Sequence, residues 1–177
     1  PLFYLVRRGP FAGCLDHSLK QQVLARGIPI HFTRAGPAAK GISATGPQGG
    51  QVIAVGYVFE TTMADGIYAV VSDRLAPTGY SYLLVAGGRG TVASCLFSGF
   101  SRRRECLERT VEFFQHHAGL RMIRPRPFGG TGNLPNPHAS RRRSDALLAG
   151  EQGGFQDPLF GFGIRHAVKS GHLAARV

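Results

Sequence analysis

The densest set of residues with chemical potential lies between positions 147 and 171, which read Leu-Leu-Ala-Gly-Glu-Gln-Gly-Gly-Phe-Gln-Asp-Pro-Leu-Phe-Gly-Phe-Gly-Ile-Arg-His-Ala-Val-Lys-Ser-Gly. The pattern is an apolar strand, an acid (Glu151) at its carboxyl end, a glycine-rich turn from Gly150, and a helix predicted to start at Asp157-Pro158. Such a turn lets backbone N–H groups approach an anion, and the helix N-terminus adds partial positive charge. An acid just past the strand can accept hydrogen bonds from a ribose. The competing reading is structural: the glycines permit close packing and Asp157 caps its helix.

The other reactive side chains form no tight constellation. His116 and His117 are adjacent, so on a helix they face different directions and make a poor ligand pair. Cys14, Cys95 and Cys106 are odd in number and contain no C-x-x-C pair, which predicts reduced, packed thiols and no metal site. His166 lies close to the glycine-rich turn in sequence, as a packed or surface group or as a proton carrier. Tyr80, Tyr82, Phe97, Phe100 and Phe128 could line an apolar pocket or simply fill a core.

These residues must be held by a chain of 177 residues, 43% of them apolar, with 25 glycines, 11 prolines and a net charge of +11. That length suits one domain with a sizeable core, or part of a larger one. No apolar run approaches the ~18–20 residues of a membrane span. Pro1 to Arg8 reads as a strand entered mid-stream and not as a signal peptide, because its charges follow the apolar run. A cytoplasmic protein is expected, with association at a membrane surface as a further option. The charge raises the question of an anionic partner. Its main clusters are Arg102–Arg104 and Arg141–Arg143, neither interleaved with aromatics, so an acidic lipid surface or a phosphorylated ligand is favoured over nucleic acid.

Periodicity predicts a strand at Leu2–Val6 and a helix capped by Asp16 and stopped by Gly27. It also predicts a short strand at Ile28–Phe32. Runs at Val52–Thr61, Ile67–Ser72, Tyr80–Ala86 and Thr91–Phe97, punctuated by Asp65-Gly66 and Gly87-Gly88, predict antiparallel neighbours. A second helix is expected over 101–119, then a long Pro/Gly/Arg-rich loop over 124–143, a short strand at Leu147–Ala149, and a last helix from Pro158 to about Arg176.

With the elements in place, residues 147–171 resemble the second flavin-binding motif of the para-hydroxybenzoate-hydroxylase-type flavoproteins. In that motif a G-D/E-A-A-G turn is followed by D-P and then G-x-G. The resemblance is to the geranylgeranyl reductase-like branch. Further segments fall in the family's order: Arg8 with Asp16-His-Ser-Leu19, Thr45-Gly46-Pro47, Tyr80-Ser-Tyr82 after Pro77-Thr-Gly79, and Pro127-Phe128-Gly129. The resemblance implies that Glu151 contacts the ribose of FAD, while Gly150, Asp157 and the amides after Pro158 hold the pyrophosphate and ribityl region. Gly161 and Gly163 would admit the isoalloxazine, Thr45 and Gly46 would form a turn beside the flavin, and Tyr80, Tyr82 and Phe128 would face substrate.

The implied fold is α/β (α+β), a partial FAD-binding domain with an inserted antiparallel substrate sheet and a covering helix. Residues 1–47 and 141–177 would belong to the flavin domain and 48–140 to the substrate sheet. The implied activity is FAD-dependent reduction or hydroxylation of a large apolar substrate such as an isoprenoid. A nicotinamide such as NADPH is one candidate electron donor, and donor and oligomeric state both stay open. Three departures accompany the resemblance. No G-x-G-x-x-G follows an N-terminal strand, Thr45 replaces the usual Asp, and Gln152 occupies a position that is usually small. The chain thus reads as an interior portion of a flavoprotein or a remnant of one, and FAD binding by this chain alone is expected to be weak or absent. As a remnant it would act as a cofactor-free binding module, and an arginine-driven anion binder is the other alternative.

Overall fold

The computed structural model describes residues 6–33, 40–47, 49–133, 142–143, 145–157 and 162–177. Contacts divide the chain into two compact units, Pro1–Gly36 and Pro37–Val177.

The first unit holds α1 (Leu15–Ala25). Asp16 is not its cap. It lies inside the first turn, where both carboxylate oxygens accept from Arg8 at 2.7–2.9 Å and Oδ2 also accepts from Gly9 N–H at 2.7 Å. The Arg8 guanidinium, and then the Gly9 amide, hold this carboxyl well below the usual carboxylate range. Gly27 ends the helix as expected, with φ at +68° and its N–H donating to Leu24 O. Residues 28–32 form no strand: the run is too short to hold itself extended, and among the described residues no strand pairs with it. Leu2–Leu5 lie outside the described residues.

The second unit contains β1 (Lys40–Ser43), β2 (Val52–Glu60), β3 (Gly66–Val70), β4 (Tyr80–Ala86), β5 (Arg89–Leu96), α2 (Arg103–Ala118), β6 (Ile123–Gly132), β7 (Arg142–Arg143), β8 (Asp145–Leu148) and α3 (Ile164–Ala174). Five strands form an antiparallel sheet in the order β3-β4-β5-β2-β6, and three form a small mixed sheet in the order β1-β8-β7, with β1 and β8 parallel. The fold is therefore mixed α/β, with a short parallel element beside a larger antiparallel sheet.

The β4–β5 hairpin turns through Gly87 and Gly88, both with positive φ, as a two-residue turn of this hand requires. Thr61 N–H donates to Gly88 O, and Asp65 accepts from Gly87 N–H at 2.8 Å. These bonds pin the β2–β3 connection to the hairpin tip, so β3 begins at the far edge instead of pairing with β2. One sheet face is the core: Phe59, Leu83, Val85 and Val92 pack with Phe114 and Leu120 from α2 and its exit. Each such side chain contributes roughly 1.5–3 kcal/mol by burial. Thr110 of α2 meets Ser81 and Ser94 in a fully buried hydroxyl cluster at 2.9 and 2.8 Å. The helix stops at Gly119 (φ +63°), where Leu120 N–H returns to Phe114 O at 3.1 Å.

Two expectations fail in this unit. The first part of the loop expected over 124–143 instead belongs to β6, because an edge strand tolerates Pro125 and Pro127 where a central one would not. The last helix starts at Ile164 and not at Pro158.

Candidate functional site

The parallel pair β1–β8 places two segments side by side. Register runs from Lys40↔Asp145 to Ser43↔Leu148, and Ala149 N–H continues the ladder to Ser43 O at 2.9 Å. Both strands therefore open at their carboxyl ends into adjacent loops, the place where open parallel sheets bind ligands. One loop carries Thr45 and Gly46, the other Gly150 through Gly154.

Gln152 joins them. Its Oε1 accepts from Ser43 Oγ and from Thr45 N–H, each at 2.9 Å. Sequence alone marks Gln152 only as an unusual residue, because the partners lie more than a hundred positions away.

The glycines divide by cause. Gly150 has φ at +60°, and its N–H donates to Ser170 Oγ of α3 at 2.9 Å. Ser170 in turn donates to Ala167 O, and a Cβ on Gly150 would sit 3.5 Å from Ala167 Cβ. Gly153 is closed to any side chain, since its Cβ would come within 2.8 Å of Leu148 O. Packing explains Gly153. At Gly150 the 3.5 Å approach is ordinary contact and the left-handed φ calls for glycine. Gly46 is alike: φ is +82° and a Cβ there would meet no atom within 4 Å, so backbone conformation, not crowding, decides.

Glu151 turns toward the antiparallel sheet, where Oε1 accepts from Asn133 N–H at 3.1 Å just past the end of β6. Asp157 is not a helix cap. Its N–H donates to Phe162 O at 3.2 Å. Pro158 and Gly161 lie outside the described residues. Gly163 precedes α3 with φ at −102°, and no side chain caps this helix, whose first turn carries Arg165 and His166 and no acid.

The three aromatic candidates share the sheet face opposite α2. Tyr82 pairs with Ala93, Ala93 with Gly56, and Gly56 with Phe128. In the next row Tyr80 pairs with Cys95, Cys95 with Ala54, and Ala54 with Gly130. Bulky rings at either side thus flank a floor of small residues. The Phe128 ring lies over Gly56, where a Cβ would approach it to 2.7 Å. Tyr80 stacks at a tilt on Tyr82 (6.2 Å between centroids) and edge-on to Phe97 (6.3 Å). Burial, then the hydrogen-bonded Cys95, then Tyr82 and Asp157, push the Tyr80 phenol far above its ordinary value. Burial raises Tyr82 to about 12 and Cys95 to about 11. The Glu151–Asn133 hydrogen bond ties the turn at Gly150 to the end of β6, the strand that carries Phe128.

Tyr80, Tyr82 and Phe128 line neither of two cavities beside α2. One, of about 240 Å³, is bordered by Met63 and Tyr68, and the other, of about 890 Å³, by Val70, Arg74, Arg109 and Phe113. Of the first arginine cluster, Arg102 and Arg104 pair with Glu105 and Glu108 at 3.1 and 3.0 Å, and Arg103 reaches Phe100 O. Among the described residues no group of three or more metal-type side chains gathers, the three cysteines are free and buried, and no helix is long and apolar enough to cross a membrane.

A dinucleotide flavin at the crest, the carboxyl ends of β1 and β8 with the turns that follow them, needs donors and open backbone. The residues fit that need at Gly46, at Gln152 and at the uncapped start of α3. They fit less well at Gly150, Gly154 and Phe155, whose amides already donate to Ser170 Oγ, Glu151 O and Gly150 O.

No protein-family model matches the chain, and comparison with curated proteins gives no match. Among solved structures, the chain is similar to a geranylgeranyl bacteriochlorophyll reductase-like protein from Thermoplasma acidophilum, with a TM-score of 0.51 and 19% sequence identity over 70% of this chain. The chain spans 32% of that protein's length. At this identity the likeness is one of fold: the mixed α/β arrangement of a parallel crest and an antiparallel sheet is shared with a reductase-like protein.

Proposed function

We propose that this chain forms the junction of an FAD-dependent oxidoreductase at which the flavin-holding crest meets the substrate sheet, acting on a large apolar substrate of the isoprenoid class. The observation that carries the reading is the Glu151–Asn133 hydrogen bond, 3.1 Å, which ties the turn after β8 to the end of β6 in the aromatic-bearing sheet. Thr45, Gly46, Gly150, Glu151, Asp157 and Gly163 would hold the cofactor, and Tyr80, Tyr82 and Phe128 would border the substrate. A bound flavin supplies hydride transfer or, with dioxygen, hydroxylation, and a nicotinamide would be its reductant. The chain's own part is to bind, orient and exclude water. The rings close over a buried floor of Gly56 and Ala93, so the half-buried side chains of Tyr80, Tyr82 and Phe128 would themselves present apolar surface to a substrate, the usual character of a small-molecule site.

The test is a titration of the chain with FAD followed by flavin fluorescence, repeated with a C20 isoprenoid alcohol followed by thermal shift. Saturable binding of both, with the isoprenoid shift lost in Tyr82→Ala, supports the reading, and absence of saturable flavin binding overturns it. A second reading, a cofactor-free binding module, is favoured by the internally bonded amides of Gly150, Gly154 and Phe155. It predicts the isoprenoid shift without any response to FAD. An acidic lipid partner is a third proposal, and predicts vesicle binding that falls steeply with salt.

A further inference from the structure

We infer that Gln152 presents its side-chain amide nitrogen as a fixed hydrogen-bond donor to an acceptor oxygen of the ligand held at the β1–β8 crest; the inference rests on the flavin reading above. The orientation of the amide follows from its partners. A backbone N–H can only donate, so the Gln152 atom that receives Thr45 N–H at 2.9 Å is the oxygen. Ser43 Oγ adds a second donor to the same oxygen at 2.9 Å. With both bonds in place the planar amide cannot flip without losing two hydrogen bonds, and Nε2 is directed away from Ser43 and Thr45. Among the described residues none accepts from Nε2.

The position matters as much as the orientation. Gln152 lies where the carboxyl ends of two parallel strands diverge, the place ligands occupy in such sheets. The neighbouring backbone donors at Gly150, Gly154 and Phe155 are turned inward. A side-chain donor here supplies what the backbone of this turn does not. Because the amide is already immobilised, it loses little rotamer entropy on binding. The acceptor could be a phosphate oxygen or a ring carbonyl, and the same chemistry recognises either.

The experiment uses the full chain with FAD, riboflavin and ADP as separate probes, and compares wild type with Gln152→Glu and Gln152→Ala. Glutamate keeps an oxygen for Ser43 and Thr45 but replaces the donor with a negatively charged acceptor. Its melting temperature should stay near wild type while FAD affinity falls by about tenfold or more. Alanine removes clamp and donor together, so both melting temperature and affinity fall. A loss shared by FAD and ADP assigns the oxygen to phosphate, and a loss shared by FAD and riboflavin assigns it to the ring. Wild-type flavin binding that Gln152→Glu leaves unchanged overturns the donor role and leaves the flavin reading standing. Failure of the wild type to bind any of the three probes overturns both.

Discussion

The antiparallel sheet and the parallel crest are held together by different forces. In the sheet, Leu83, Val92 and Leu96 are fully buried, and α2 closes over them with the Ser81–Thr110–Ser94 hydroxyls as a fully buried polar cluster. The crest has two four-residue strands and a two-residue one. Its turns are held by a few hydrogen bonds to the side chains of Gln152, Glu151 and Ser170. The sheet therefore carries its own stability, whereas the crest is a set of oriented polar groups whose order is easily changed by one substitution or one ligand.

That contrast is broken most severely by Leu83→Ala. Removing a fully buried side chain from the sheet core should cost about 3 kcal/mol, read by urea denaturation. An effect below about 1 kcal/mol would mean the core is looser than its burial implies. Thr110→Val preserves shape but leaves two buried hydroxyls without their partner, and should cost about 2 kcal/mol in the same measurement.

Ser170→Ala acts on the crest. The Gly150 N–H would lose its acceptor at a cost of about 1 kcal/mol. Hydrogen exchange should accelerate over 150–155 with no change over β4 and β5, and a uniform acceleration would contradict the separation of the two regions. The smallest effect belongs to the first unit. The folded-state pKa of Asp16 is depressed below its unfolded value, so its contribution is present above the ordinary carboxylate range and fades as pH falls through the folded pKa. The pair is exposed, so Asp16→Asn should alter α1 only slightly at neutral pH. The Gly9 amide resonance should stay constant down to about pH 4 and move only in stronger acid.

The same contrast governs what the sequence reveals. Elements held by burial announce themselves through periodicity: β2, β4, β5 and α2 fall within a few residues of their predicted spans. Elements set by tertiary context do not. Pro125 and Pro127 argue against a strand locally, and only the edge position of β6 makes them acceptable. Asp157-Pro158 carries a helix-start signature, yet α3 begins at Ile164, and the Asp157–Phe162 bond leaves no trace in composition. Of the candidate site, the turn at Gly150 and the aromatics Tyr80, Tyr82 and Phe128 could be singled out by residue type. Their grouping on one face required the strand register. Gln152 could be seen only as an oddity until Ser43 and Thr45 were beside it.

The central claim is that the crest and the aromatic face together form a flavin and substrate site. Hydrogen exchange on the full chain with and without saturating FAD tests it most directly. Protection confined to 43–47, 149–157 and the β4 segment around Tyr80 is the predicted result. No protection, or protection centred on Arg102–Arg104 that disappears with added salt, would contradict it and return the chain to an anion binder without a flavin.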